Sequence, residues 1–301
     1  MKNASMRQGK LNSRFGFIVA ITVLAALVVG ARSASAQSRP SATEPSIDPK
    51  LPTLWIIGDS TVRNGQDTGG NGQWGWGKPI HDYFDQTKIN VQNWALGGTS
   101  SRTFQAGSRW AHVLYSMKPG DYLIMQFGHN DSGKPDDPSR ARATLPGNGE
   151  ETVEIDNPIL KKHEVVHTYG WYIRQYVSLA KAKGASDVFI CSPIPRNAWQ
   201  NGKVNHNANF TRWAAEAAKM AGAKFIDLNT ITATRYDAEG KQAVTDKYFP
   251  EKEVVHTDWA GAILNADSVV QGIKELDANG LGAYLLATPP RYLQLPAGKA
   301  R

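Results

Sequence analysis

The sequence predicts a three-layer α/β fold in which helices cover both faces of a parallel sheet. Stretches with strand character alternate with stretches of helical periodicity along most of the chain, which is typical of βα units. Several of the strand-like stretches are also continuous apolar runs, as expected for strands that are buried on both faces. These two observations together favour a parallel sheet between two layers of helices.

Five strands and five helices are predicted in alternation. The predicted strands cover residues 53–57, 89–94, 121–127, 187–191 and 224–228. The predicted helices cover residues 79–86, 110–117, 170–183, 210–221 and 260–276. The stretch 132–168 has no clear period and is predicted to be a long loop, which in a compact domain is usually functional. The tail from about residue 277 is expected to wrap the surface.

The first 36 residues are predicted to be a secretory signal peptide. A basic leader precedes the apolar run 15–31, and Ala34-Ser35-Ala36 is typical of a cleavage site. An uncleaved membrane anchor is the alternative, because the run approaches the length that spans a bilayer. Residues 37–50 are expected to be a disordered linker rich in Ser, Pro and Ala, and residues 51–301 a single domain.

The charge of the chain argues against a nucleic-acid partner. The chain has 34 basic and 27 acidic residues, a net charge of +7. Five of the basic residues and none of the acidic ones lie in residues 1–36, so the remainder has a net charge of only +2. We therefore expect no nucleic-acid binding, and no membrane insertion once the leader is cleaved. The single cysteine, Cys191, lies in an apolar run and is expected to be a small buried side chain.

The apolar run 54–57 ends abruptly in Gly58-Asp59-Ser60. This pattern predicts a buried strand that delivers Ser60 to a tight turn at the carboxyl edge of the sheet, where open α/β sheets bind ligands. A serine hydroxyl there is a candidate nucleophile if a base and an oxyanion site lie near it. The alternative is that Ser60 merely caps a following helix.

Three other segments supply suitable partners near predicted strand ends. Gly97 and Gly98 follow the second strand, where a glycine can present its N–H to a ligand. Asn130 follows the third strand, and its amide can donate to a developing oxyanion. Its neighbour His129 is expected to be structural. His256 precedes the last predicted helix and is the candidate general base.

Taken together, these motifs resemble those of the SGNH, or GDSL-type, hydrolases, and particularly their rhamnogalacturonan acetylesterase branch. The resemblance rests on four motifs between about residues 53 and 276: Gly-Asp-Ser-Thr at 58–61, the Gly-Gly stretch at 93–104, Gly-His-Asn-Asp at 128–131, and His-Thr-x-x-x-Gly-Ala at 256–262. It implies a flavodoxin-like sheet of five parallel strands and a serine esterase that needs neither metal nor cofactor.

The resemblance also implies roles for individual residues. Ser60 would be the nucleophile and His256 the base, and the oxyanion donors would be the N–H groups of Ser60 and Gly98 and the Asn130 side chain. The acid partner, usually an aspartate three residues before the histidine, falls on Glu253, with Asp258 as the alternative. A second departure is that Thr99 stands where relatives often carry arginine, which concerns substrate contacts.

The expected function is an exported, monomeric carbohydrate esterase that removes acetyl groups from a plant cell-wall polysaccharide, with pectic rhamnogalacturonan as the leading substrate. Xylan acetyl groups, lipids and thioesters are alternative substrates within the same class. Periplasm and medium remain alternative destinations.

Two other classes of function remain open. His163-Glu164-Val165-Val166-His167 spells H-E-x-x-H, which on a helix binds zinc in peptidases. A non-catalytic sugar-binding module is the other alternative, because loop tryptophans can stack on sugar rings. Four tryptophans are candidates, of which the last two are favoured: Trp74, Trp76, Trp199 and Trp259.

Overall fold

The computed structural model describes residues 46–63 and 69–293. The predicted signal peptide and most of the predicted linker lie outside the described residues. Nine strands occur within the described ranges: β1 Thr53–Gly58, β2 Asn90–Asn93, β3 Tyr122–Gln126, β4 Thr152–Asn157, β5 Lys162–His167, β6 Asp187–Cys191, β7 Trp199–Gln200, β8 Lys203–Val204 and β9 Lys224–Ile226. Five of these strands form one sheet in the order β2-β1-β3-β6-β9, and every neighbouring pair is parallel. The predicted sheet of five parallel strands is therefore confirmed.

Seven α-helices are present in the same ranges: α1 Ser101–Gln105, α2 Ser108–Ser116, α3 Tyr169–Ala182, α4 Ala208–Ala221, α5 Leu228–Glu239, α6 Lys241–Tyr248 and α7 Trp259–Asp277. The predicted helix at 79–86 is a shorter 3-10 helix, Pro79–Tyr83. The other four predicted helices occur with ends shifted by one or two residues. The predicted strand 224–228 ends early, because Asp227 caps α5 by accepting a hydrogen bond from the Thr230 N–H at 3.2 Å.

The side chains of β1 explain why the domain has three layers. Successive side chains of a strand point to opposite faces of the sheet. Leu54 and Ile56 pack into an apolar cluster with residues of α7, whereas Trp55 and Ile57 pack into a second cluster with residues of α3. All four side chains are at most 1% exposed. A strand that is apolar at every position is therefore one that helices cover from both sides.

The prediction that residues 132–168 form an aperiodic loop is wrong for its second half. Strands β4 and β5 pair there as an antiparallel hairpin, with Asp156 opposite His163. Only one face of this hairpin packs against the domain, so most of its side chains are exposed. The few buried positions, such as Ile155 and Val166, were too sparse to reveal the alternation in the sequence.

The tail after α7 lies against the domain as far as residue 293. A short 3-10 helix, Leu281–Tyr284, buries Leu281 in the same cluster as Leu54. The Leu286 N–H donates to the Tyr83 carbonyl at 2.8 Å, which ties this tail to the first 3-10 helix of the domain. Among the described residues, no helix combines the length and the apolar character needed to cross a bilayer.

Candidate active site

The strand order places the candidate site at the point where the chain changes direction across the sheet. Strand β1 has β2 on one side and β3 on the other, and ligands bind beyond the carboxyl ends of strands at such a point. The last residues of β1 and β3, Gly58 and Gln126, are in register. Ser60 and Asn130 follow these two strands and therefore meet at one edge.

Local packing fixes the turn that carries Ser60. A Cβ atom on Gly58 would lie 2.4 Å from Val62 Cγ2 and 2.6 Å from the Gln126 carbonyl oxygen, so only glycine fits there. The Asp59 carboxylate then accepts hydrogen bonds from the Thr61 N–H at 2.9 Å and the Thr61 hydroxyl at 2.8 Å. This side-chain turn holds the backbone while the Ser60 hydroxyl points out of the edge.

Ser60 faces His256 across the edge. The Ser60 Oγ and His256 Nε2 atoms lie 2.8 Å apart, although 196 residues separate them in the sequence. The hydroxyl is therefore in the position of a nucleophile beside its base. The alternative that Ser60 acts as a helix cap does not match this contact.

Two contacts hold the loop that carries His256. The Trp74 N–H donates to the Thr257 carbonyl at 2.8 Å, and the Thr257 hydroxyl donates to the Trp74 carbonyl at 3.0 Å. The next residue, Asp258, caps α7 by accepting a hydrogen bond from the Gly261 N–H at 2.8 Å. The Asp258 carboxylate therefore caps the N-terminus of α7 and is not directed at the His256 imidazole.

Glu253 occupies the position behind the imidazole. Its Oε2 lies 3.1 Å from His256 Nδ1 and accepts a further hydrogen bond from Gln73 Nε2 at 2.8 Å. Its Oε1 accepts the N–H groups of Val254 at 2.9 Å, Val255 at 2.8 Å and His256 at 3.3 Å. Burial opposes ionisation, but the hydrogen bonds from Val255 and His256 outweigh it and lower the pKa of Glu253 to about 2. The carboxylate is therefore charged at neutral pH.

Three N–H donors are available near Ser60. The N–H groups of Ser60 and Gly98 make no hydrogen bond within the described residues. Gly98 has a φ of 83°, a conformation that glycine adopts without strain. The Asn130 amide donates one N–H to the Thr99 carbonyl at 2.8 Å, so its orientation is fixed and its second N–H is left over. Such an arrangement is suited to a developing oxyanion.

His129 does not take part in these contacts. Its side chain is buried, and neither ring nitrogen has a hydrogen-bond partner in the described part of the chain. Burial disfavours the imidazolium and lowers the pKa of His129 to about 4. The ring is therefore neutral at pH 7 and fills space behind the Asn130 turn.

The H-E-x-x-H sequence lies on strand β5 and not on a helix. Residues four apart on a strand are separated by about 13 Å, so His163 and His167 do not converge on one ion. Both oxygens of Glu164 bind the buried Arg102 guanidinium, at 2.8 and 3.1 Å. His167 instead stacks on Trp171, with ring centroids 3.7 Å apart. No group of three metal-ligating side chains occurs in the described ranges.

Two of the four candidate tryptophans are core residues. Trp76 is fully buried and donates its Nε1–H to Gln126 at 2.9 Å, and Trp74 is 4% exposed. Trp259 is half-buried and meets Trp74 edge-on, with centroids 4.7 Å apart. Trp199 is also half-buried, and its Nε1–H donates to Asn197 at 2.8 Å. Only these last two remain candidates for contact with a sugar.

Sequence reasoning missed two polar residues at the site. Gln73 donates to Glu253, and Arg142 donates its Nη1–H to the Gly98 carbonyl at 2.8 Å. Both lie on loops without a recognisable period. The glycine before Gln73 and the arginine two positions before Arg142 are not specific signals of a site.

Comparisons with known proteins identify the family of the chain. Residues 56–262 match the model of the GDSL-like lipase/acylhydrolase family. The chain is similar to the rhamnogalacturonan acetylesterase of Emericella nidulans, with 31% identity covering 73% of this chain and 84% of that protein. It is also similar to the probable rhamnogalacturonan acetylesterase YesY of Bacillus subtilis, with 30% identity covering 74% of this chain and 93% of that protein.

A solved structure has the same fold. The YxiM protein of Bacillus subtilis superposes with a TM-score of 0.61 at 24% identity, covering 77% of this chain. This chain spans 58% of the length of that structure. The likeness concerns the arrangement of strands and helices alone.

Proposed function

The chain belongs to the GDSL-like lipase/acylhydrolase family, and on that premise we propose that it is a serine esterase that removes acetyl groups from a polysaccharide. The observation that carries this proposal is the 2.8 Å contact between Ser60 Oγ and His256 Nε2, with Glu253 behind the imidazole. The leading substrate is acetylated rhamnogalacturonan, because two relatives at 30% identity or more are named for that activity.

The first half of the reaction acylates Ser60. With its Nδ1 proton directed at Glu253, His256 accepts the Ser60 proton on Nε2 as Oγ bonds to the acetyl carbon. The carbonyl oxygen becomes an oxyanion that the Ser60 N–H, the Gly98 N–H and the Asn130 amide stabilise. The intermediate collapses, the bond to the sugar oxygen breaks, and His256 returns its proton to that oxygen.

The second half releases acetate. A water molecule attacks the acetyl group on Ser60 while His256 again accepts a proton, and the Ser60 oxygen leaves as the second intermediate collapses. His256 gives the proton back to Ser60, which restores the free enzyme. The ionised Glu253 stabilises the imidazolium that forms in each half. The proposed steps use these side chains, the backbone N–H groups of Ser60 and Gly98, and water.

Export and a plant cell-wall substrate complete the proposal. The basic leader, apolar run and Ala34-Ser35-Ala36 sequence support secretion. A polymeric substrate is too large to enter a cell, so an esterase that acts on it is needed outside. Trp199 and Trp259 are the proposed sugar contacts, because both are partly exposed. Trp199 belongs to the short strand β7, and Trp259 begins α7 three residues after His256.

A substrate panel tests the proposed function. The purified chain is incubated with acetylated rhamnogalacturonan, acetylated xylan and a long-chain p-nitrophenyl ester, and the released acid is measured. We expect acetate release from the polysaccharides, fastest from rhamnogalacturonan, and little cleavage of the long-chain ester. Preference for the long-chain ester would indicate a lipase, and binding of polysaccharide without acetate release would indicate a sugar-binding module.

A further inference from the structure

An arginine lies directly beside the proposed oxyanion site. Arg142 Nη1 is 2.8 Å from the carbonyl oxygen of Gly98, and the neighbouring Gly97 lies against Ser60. A single residue spans at most about 3.6 Å, so this guanidinium nitrogen lies within about 7 Å of the Gly98 N–H. A charged group on a sugar next to the acetylated one is thus within reach of the arginine.

A buried frame holds the segment that carries Arg142. The Arg102 side chain is 1% exposed, and its guanidinium donates to the carbonyl oxygens of Ala143 at 2.5 Å and Ala141 at 2.9 Å. These two residues flank Arg142, and both are buried. Glu164 fixes the guanidinium from the hairpin side. The backbone on either side of Arg142 is therefore clamped.

Backbone strain accompanies this clamp. Ala141 has a φ of 40°, which is uncommon for a residue with a side chain. A strained conformation persists only where the surroundings impose it, and such residues cluster at functional sites. Here the imposed conformation directs Arg142 towards Gly98.

The carboxylates of Asp59, Asp131 and Asp137 act on the Arg142 guanidinium from a distance, but none of them forms an ion pair with it. No carboxylate lies within ion-pair distance of its guanidinium in the described part of the chain, whereas Arg102 in the same frame is paired. A guanidinium has five N–H donors. In Arg142, one of them donates to the Gly98 carbonyl. The side chain is half-buried, and no other hydrogen bond of its guanidinium occurs in the described part of the chain. A planar, two-oxygen anion matches this donor set.

We propose that Arg142 binds the carboxylate of a uronic acid in the stretch of polysaccharide that carries the acetyl group. This inference rests on the proposed function and deepens it, because it names the residue that recognises the acidic sugars of the substrate. A galacturonan carries such carboxylates, whereas an unsubstituted xylan backbone has none. Arg142 is therefore a specificity-determining residue and takes no part in bond breaking.

The alternative is that Arg142 only supports the Gly98 backbone. In that case its loss would disturb the oxyanion site for every ester alike. Two substrates separate these roles: an acetylated, acidic rhamnogalacturonan, and the same polymer after its carboxyl groups have been reduced to alcohols. The measured quantity is the ratio of kcat/KM on the acidic polymer to kcat/KM on the reduced polymer. A supporting role leaves this ratio unchanged, and carboxylate binding makes it depend on Arg142.

The experiment compares wild type, Arg142→Gln, Arg142→Lys and Arg140→Gln. Arg140 is the matched control, since it is an exposed arginine two residues away. We expect the ratio to fall by about 10- to 100-fold in Arg142→Gln, mostly through KM, because one charge-assisted pair is lost. The ratio for Arg142→Lys should lie between those of wild type and Arg142→Gln, since lysine keeps the charge but not the two-point geometry. Arg140→Gln should match wild type.

If Arg142→Gln changes kcat/KM equally on the two polymers, or changes it on neither, the ratio of the two values stays that of wild type and the inference is overturned. Calorimetric titration with an unacetylated oligogalacturonate provides a readout that needs no esterase activity. Wild type and Arg140→Gln should bind it more tightly than Arg142→Gln, and equal affinities count against the inference. If wild type releases no acetate from either polymer, the proposed function itself fails, and this outcome is distinct from an unchanged ratio.

Discussion

The Glu253 carboxylate contacts His256 twice, through the imidazole Nδ1 at 3.1 Å and through the backbone N–H at 3.3 Å. The extra methylene of glutamate relative to aspartate is accommodated because Oε1 folds back onto the N–H groups of its own loop. The longer side chain is thereby fixed in one position. Glutamate at position 253, where the motif usually has aspartate, is thus compatible with an oriented imidazole.

Glu253→Gln should lower kcat by about 10⁴-fold, because a neutral amide neither fixes the productive tautomer nor stabilises the imidazolium. The matched control is Asp258→Asn, since asparagine remains a good helix cap and keeps the end of α7 intact. Acetate release by both variants is measured together with their thermal unfolding. A large loss in Asp258→Asn but not in Glu253→Gln would reverse the assignment of the acid partner.

Asn130→Ala should reduce kcat by about 10²- to 10³-fold with little change in KM, because the amide meets charge that develops only in the transition state. Asn279→Ala is the control, since Asn279 is an exposed asparagine beyond the far end of α7. Steady-state kinetics on p-nitrophenyl acetate provide the measurement. A rise in KM at constant kcat would instead make Asn130 a ground-state contact.

Glu164→Gln should destabilise the domain by about 3 kcal/mol, because it leaves the buried Arg102 guanidinium without its charged partner. His163→Ala should change stability by less than about 0.5 kcal/mol, since that side chain is 60% exposed. Denaturant unfolding of both variants measures the difference. Activity that disappears with a chelator and returns with zinc would contradict this structural account of the H-E-x-x-H sequence.

The neutral, buried His129 should make the domain sensitive to mild acid. Its pKa is lowered from 6.5 to about 4 by burial, so the unfolded chain binds the proton first as pH falls. The stability that this residue contributes is complete above pH 6.5 and is lost progressively between pH 6.5 and 4, up to about 3 kcal/mol. In His129→Gln this part of the pH dependence should vanish.

Unfolding free energies at pH 7 and pH 5 measure the effect. His206→Gln is the control, because the His206 side chain is exposed. If wild type and His129→Gln lose the same stability on acidification, the buried imidazole is not the source.

The fold and much of the site could be predicted from the sequence for one physical reason. Buried parallel strands are continuous apolar runs, and the motif residues Ser60 and Asn130 stand directly after two of them. Because both strands are parallel, the positions of their carboxyl ends in the sequence predict that these two side chains lie at the same edge of the sheet. His256 could be predicted because it immediately precedes an amphipathic helix whose start Asp258 marks.

The remaining features depend on tertiary contacts that leave no periodic signal. Helix α6 buries only Val244 and Tyr248, too few positions to establish a helical period. Gln73 and Arg142 reach the site through loops whose conformation is set by distant partners, and the clamp of Arg102 on residues 141 and 143 spans about forty positions. Such long-range hydrogen bonds are invisible in the sequence of one chain.

The most direct test of the account is acetate release from acetylated rhamnogalacturonan by wild type and Ser60→Ala, with Ser116→Ala, at a partly exposed serine of α2, as the control. The same proteins are treated with a phosphonate ester that labels nucleophilic serines, and their intact masses are measured. We predict acetate release and one added label for wild type and Ser116→Ala, and neither for a folded Ser60→Ala. Acetate release by Ser60→Ala at the wild-type rate would contradict the assignment of Ser60 as the nucleophile.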